Sequence, residues 1–171
     1  MIRTRIRDAA EELLRRCKVD RPPVPVERLA RRVGAEVRYE PLESDLSGML
    51  FREEGRTIIG VNALHPKSRQ RFTIAHELAH LELHERSGIH VDHKFPIHVR
   101  DELSSQAVDL EEIEANSFAA ELLMPAAMLE DDLAEYALDY EDEDLARRLA
   151  SRYQVSLQAM AFRLTNLGLH E

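Results

Sequence analysis

Thr73-Ile74-Ala75-His76-Glu77-Leu78-Ala79-His80 is the stretch whose reading organises the chain. It contains the pattern His-Glu-x-x-His. On an α-helix, two histidines four residues apart lie on one face, about 6 Å apart along the axis. Two imidazole nitrogens at that spacing can bind one zinc ion, and a glutamate directly after the first histidine can reach a water on it. Pro66, at or near a first helical position, predicts a helix running to about His84. Phe72, Ile74, Ala75, Leu78, Ala79, Leu81 and Leu83 cover most of its circumference, and a polar gap holds Thr73, His76, Glu77, His80 and His84. An apolar helix with one polar stripe is expected to be buried and to wall a site.

Catalytic zinc takes three protein ligands and leaves a position for water, so a third donor must come from elsewhere. The best source is Glu111-Glu112-Ile113-Glu114-Ala115-Asn116. Glu112 and Asn116 are four apart, like the two histidines. Glu112 can bind the metal, and the Asn116 carbonyl can accept a hydrogen bond from the outer nitrogen of a ligand histidine. On the same helix Glu114 points about 200° away and Glu111 about 100° to the other side. A plainer reading stays open: with Asp109 as N-cap, Glu112 is the third residue of a capping box, and Asn116 is an ordinary polar residue of the helix.

Around these two helices the chain supplies a small α+β framework. Arg3 to Cys17 is amphipathic, with Ile6, Ala9, Ala10, Leu13 and Leu14 at helical spacing. Arg21-Pro22-Pro23-Val24-Pro25 ends it. Val26 to Val33 reads as a short helix closed by Gly34. Ala35 to Tyr39, Leu46 to Phe51 and Arg56 to Val61 read as strands, the last two joined as a hairpin through Gly55. Three strands must lean on helices to be stable. A free hairpin edge is a candidate platform for an extended peptide, an ordinary supporting strand being the alternative. Residues 85–108 read as a long connection without periodicity. Leu110 to Met124 is helical, with Leu110, Ile113, Ala115, Phe118, Ala119, Leu122 and Leu123 expected inward, and Ala126 to Leu138 follows Pro125. Asp139 to Asp144 is an acidic linker, so a boundary is expected between residues 1–138 and a helical subdomain at 139–171.

The formal net charge is -9, from 23 Lys and Arg against 32 Asp and Glu, and no Lys or Arg occurs from Asp101 to Ala146. That balance argues against a nucleic-acid binder relying on overall attraction. Leu145 to Tyr153 and Leu157 to Leu167 do pair as helix-turn-helix, but the second helix holds only Arg163 as a base, so docking onto the core or a protein is expected rather than DNA binding. Cys17 is the one cysteine, which excludes an intrachain disulfide. No run approaches the about 20 apolar residues of a membrane span, and the charged N-terminus is not a secretory signal. A cytoplasmic protein is expected.

Two longer segments carry a resemblance. Arg71 to His80, together with Glu112-Ile113-Glu114-Ala115-Asn116-Ser117-Phe118-Ala119-Ala120-Glu121-Leu122-Leu123-Met124-Pro125, resembles the ImmA/IrrE family of metallopeptidases. Pro23 to Ala30 and Arg163 to Gly168 resemble it too. The resemblance implies a zincin-like (minigluzincin) α+β core, here with a three-stranded, mainly antiparallel sheet packed on helices and a helix-turn-helix-like tail. It implies His76, His80 and Glu112 as zinc ligands and Glu77 as the base. Asn116 behind a ligand histidine remains the reading from spacing, and manganese or iron can also occupy a His/carboxylate site. The implied activity is that of an anti-repressor endopeptidase that cleaves an Xre-type helix-turn-helix repressor, supplied as a separate partner, in stress responses or mobile-element control. A metal-containing partner that binds a repressor or toxin without cleaving it is the alternative. His84, His90, His93, His98 and Tyr39 are candidates for stabilising an oxyanion.

Overall fold

In α1 (Ile2–Arg16) the helical spacing of Ile6, Ala10, Leu13 and Leu14 turns one face inward, and all four are buried. α2 (Val26–Arg32) buries Val26, Leu29 and Ala30. Then come β1 (Ala35–Glu40), β2 (Leu46–Glu53), β3 (Arg56–Asn62), α3 (Lys67–Leu83), β4 (Gly88–His93), α4 (Ser104–Leu123), α5 (Ala126–Tyr136), α6 (Asp142–Tyr153) and α7 (Leu157–Leu167). The computed structural model describes residues 2–53, 55–84, 88–93, 104–136 and 142–169. Among them, no helix is long and apolar enough to cross a membrane.

The architecture is α+β, with one mixed sheet ordered β1-β3-β2-β4. β1 runs parallel to β3, while β2 is antiparallel to both β3 and β4. Among the described residues the sheet therefore has four strands, where three are read from sequence. The missed strand lies inside the supposed connection: Ile89 and Val91 alternate with His90 and Asp92, too short a run to stand out. β4 also closes the hairpin edge. Both sides of β2 are paired, which leaves it a supporting strand without a free edge, and among the described residues β4 takes the edge position.

Asn62, fully buried, organises the chain before β2. Its side-chain carbonyl accepts from the backbone of Leu42 and Leu64, and its amide donates to Leu46 O at 2.8 Å and Glu43 O at 3.1 Å. At Leu46/Gly48 the β2–β4 register shifts. Ser47, at that shift, is buried and accepts a 2.8 Å hydrogen bond from Arg69 of α3. Gly48 lets the strand pass close beneath α3: a Cβ there would overlap the Thr73 methyl and stand 2.8 Å from Gly60 O and 3.6 Å from Glu77 Oε1.

α3 is the central element. Ile74, Ala75, Leu78 and Ala79 are wholly buried, as are Ala115, Phe118, Ala119, Leu122 and Leu123 of α4, which packs against it. α1 packs on α4 as well and also touches α3. Two readings of α4 change. α4 begins at Ser104, so Asp109 lies within the helix and is not its N-cap. Leu110 and Ile113 are exposed, whereas Ala115, Phe118, Ala119, Leu122 and Leu123 form the buried face as expected. Phe162 is exposed too, since it stands about 200° from Met160 and Leu164, which with Arg163 form the buried face of α7.

The last two helices share the main core through Leu149, Tyr153, Met160 and Leu164. Two buried arginines hold them there. Arg71 of α3 donates to Gln154 O at 3.2 Å and to Val24 O at 2.9 Å. Arg163 donates to Met124 O at 2.9 Å and grips the Glu121 carboxylate with both terminal nitrogens. Ser156 caps α7 by accepting from Ala159 N, and Gly168 ends it in the left-handed conformation.

Candidate metal centre

His76 and His80 project from consecutive turns of α3, and the packing of α4 brings Glu112 onto them. Both imidazoles are almost entirely buried, at 1% and 4% exposure, whereas the Glu112 side chain is 24% exposed and forms the open side. His76 Nε2 lies 3.2 Å from His80 Nε2 and 3.2 Å from Glu112 Oε2, and His80 Nε2 lies 3.4 Å from Glu112 Oε1. Ligands held about 2.0–2.1 Å from a tetrahedral ion stand about 3.3–3.4 Å from one another. The three side chains thus already hold the spacing of one coordination face.

The outer nitrogens support the same polarity. Asn116 Oδ1 lies 3.1 Å from His76 Nδ1. An amide oxygen can only accept, so His76 carries its proton on Nδ1 and turns the Nε2 lone pair inward. His80 Nδ1 is 3.1 Å from His84 Nδ1, and His84 Nε2 is 3.0 Å from Glu114 Oε2. Two imidazole lone pairs and a carboxylate converge where a divalent cation would satisfy all three. The donor set fits a divalent metal, and Glu112 is not a capping residue, because α4 starts eight positions before it.

Glu77 follows His76 on α3 and is wholly buried. Thr73, one turn earlier, is buried as well, and its hydroxyl donates to Arg69 O. On this side of α3 lies a recess of about 310 Å³, lined in part by Ser47, Phe72, Thr73, Met124, Val155 and Ala159. The start of α7 and the turn before it therefore supply part of its wall.

Not every sequence candidate joins the group. Tyr39 lies on β1, the far edge strand, and donates to Glu27 at 2.7 Å; burial and that hydrogen bond push its phenol upward. His84 sits behind His80, on the Nδ1 side rather than at the converging Nε2 atoms. The side chains of His90 and His93, and His98 altogether, lie outside the described residues. Glu114 and Arg5, which the sequence does not connect to the site, belong to it indirectly. Glu114 accepts from His84 on one oxygen and from Arg5 of α1 at 2.8 Å on the other. Those hydrogen bonds, His84 foremost, hold its carboxyl below the usual range against the opposing effect of burial. No local pattern marks this link, because it joins three helices distant in sequence.

With this geometry in place, the comparison with known proteins is specific. Residues 30–165 match the peptidase M78 family model, described as the IrrE N-terminal-like domain. The chain belongs to that family. The resemblance to ImmA/IrrE proteins is thereby borne out, and this M78 chain is of metallopeptidase type, with a His/Glu group suited to a divalent metal. A relative from Bacillus phage phi105, described as "Uncharacterized immunity region protein 2", is 30% identical over 122 residues, covering 71% of this chain and 70% of that protein. The matched M78 region contains α3 and α4 entire and reaches into α7.

Proposed function

We propose that the chain is a zinc-dependent endopeptidase that inactivates an Xre-type helix-turn-helix repressor by cleaving it. One observation carries the proposal: His76, His80 and Glu112 converge with coordination spacing, and a buried Glu77 follows the first of them. Family membership and the immunity-region relative favour a role in repressor control. The reading places a small zincin-like core at residues 1–138 and a helix-turn-helix-like subdomain, packed on that core, at 139–171.

His76 Nε2, His80 Nε2 and the Glu112 carboxylate are the proposed ligands, with Asn116 fixing the His76 tautomer. Zinc bound there would supply Lewis-acid chemistry, polarising a peptide carbonyl and making water more acidic. Glu77 is the proposed base: its carboxylate takes a proton from the attacking water and passes it to the departing amine nitrogen. Burial of His76, Glu77 and His80 keeps bulk water from competing for these groups. The recess beside Thr73 has room for an apolar side chain of the substrate.

A protein substrate suits the tail better than DNA does. Arg163 is the one basic residue of α7, and it is buried against Glu121, which leaves that helix no cation for phosphate. A cytoplasmic setting, where thiols stay reduced, suits buried Cys17.

The test is incubation of the full-length protein with the helix-turn-helix repressor encoded nearest to it, with fragments identified by mass spectrometry. Cleavage should be lost with a chelator and restored by zinc. Glu77→Gln should keep zinc yet lower cleavage by about 10²–10⁴-fold. Binding of the repressor without cleavage, unaffected by Glu77→Gln, would overturn the enzymatic reading in favour of a non-proteolytic partner.

A further inference from the structure

We propose that His84 and Glu114 form a positioning relay for His80, so that α4 helps to set the metal affinity of the site through a residue other than Glu112. The inference rests on the reading that His80 is a metal ligand.

The chemistry allows one consistent set of protons. A His80 that gives its Nε2 lone pair to a metal carries hydrogen on Nδ1. That N–H faces His84 Nδ1 at 3.1 Å. His84 can accept there only if its own hydrogen is on Nε2, and His84 Nε2 lies 3.0 Å from Glu114 Oε2, an acceptor. Glu114 in turn receives a 2.8 Å hydrogen bond from Arg5. The Arg5 side chain is 59% exposed, so the links that fix the ring of His80 are those through buried His84 and Glu114.

Burial makes the relay consequential. The His84 side chain is 7% exposed and that of Glu114 15%, so water cannot freely replace either partner. His76 and His80 are thereby held in different ways, His76 by the neutral amide of Asn116 and His80 by an imidazole backed by a carboxylate. A carboxylate behind a ligand histidine raises the basicity of the ligand and restricts ring rotation. His80, His84 and Glu111 also lie close enough to be considered as a second cation site. A cation between the two Nδ1 atoms would require His80 to give up its last ring proton while already serving a metal. The hydrogen bond needs no such loss.

The experiment measures zinc affinity of the full-length chain by competition with a chromogenic chelator, alongside circular dichroism. His84→Phe keeps the ring volume but removes the acceptor and should weaken zinc binding about 10–100-fold. His84→Asn places a carbonyl oxygen near the Nδ1 position and should restore most of that loss. Glu114→Gln, which keeps size and removes charge, should give an intermediate loss and supplies the test if His84→Phe does not fold. In the cobalt(II)-substituted protein, the exchangeable imidazole N–H resonance of His80 should disappear or shift in His84→Phe, while that of His76 remains. Unchanged zinc affinity in His84→Phe and Glu114→Gln overturns the relay, as does an equal loss in the Phe and Asn variants, which would mark a packing role only. Failure of the unmodified protein to bind zinc overturns instead the reading beneath it.

Discussion

Replacing Gly48 with alanine should damage stability and activity together, and Thr73→Ser should return part of both. The added Cβ would overlap Thr73 Cγ2 and stand 2.8 Å from Gly60 O. A carbon and a carbonyl oxygen in ordinary contact are about 3.3–3.6 Å apart, so β2 must retreat from its neighbours by about 0.5–0.8 Å. Overpacking of this kind costs about 1–3 kcal/mol. For a chain of this length, each kcal/mol lowers Tm by about 2–4 °C. The same Cβ lies 3.6 Å from Glu77 Oε1, so the retreat moves the strand that backs the proposed base. Misplacement on the order of 1 Å can cost about 10²-fold in rate. Thr73→Ser deletes the methyl and keeps the hydroxyl that donates to Arg69 O. It relieves one of the two clashes, and the Gly60 carbonyl still opposes the Cβ. Thermal melts of the single and double variants, with peptide-cleavage rates, provide the assay. Stability of Gly48→Ala equal to that of the unmodified protein would refute the packing argument. A double variant no better than Gly48→Ala would refute the role of Thr73.

Arg163→Met should destabilise the fold and loosen the tail, because it leaves Glu121 and Met124 O without their donor. The cost should fall near the lower end of the about 3–5 kcal/mol typical of breaking a buried pair, since Glu121 keeps 20% of its side chain exposed; urea unfolding and limited proteolysis after Met124 check it. Zinc at 100 times its dissociation constant should add about 2.7 kcal/mol of stability, read as a rise in Tm that vanishes with chelator or with Glu112→Ala. A rise retained in Glu112→Ala would exclude that carboxylate as a ligand.

Much of the site was legible because its parts are local. The His76–His80 spacing needs only the helical repeat, and the surrounding apolar residues predict the burial observed for Ile74, Ala75, Leu78 and Ala79. Glu112 and Asn116 could be paired with that helix because their spacing of four matches its own, although a local capping role competed until α4 was found to begin at Ser104. β4 was missed for the opposite reason. A short alternation becomes a strand only when β2 offers it an edge, and sequence periodicity does not report partners.

The chain alone determined the His-Glu-x-x-His helix, the chemical types of the candidate donors and the sign of the charge balance, since these depend on residue identity and short-range spacing. Tertiary structure decided which polar groups face one another. His84 follows His76 and His80 at the same interval of four, and by spacing alone it is a third candidate site residue. Packing of α4 against both α1 and α3 places it behind His80 instead, with Glu114 and Arg5 completing the line. The physical reason is range: helical periodicity sets the direction of a side chain about its own axis, whereas the depth and rotation of a neighbouring helix follow from burying Phe118, Leu122 and Leu123 in a shared core.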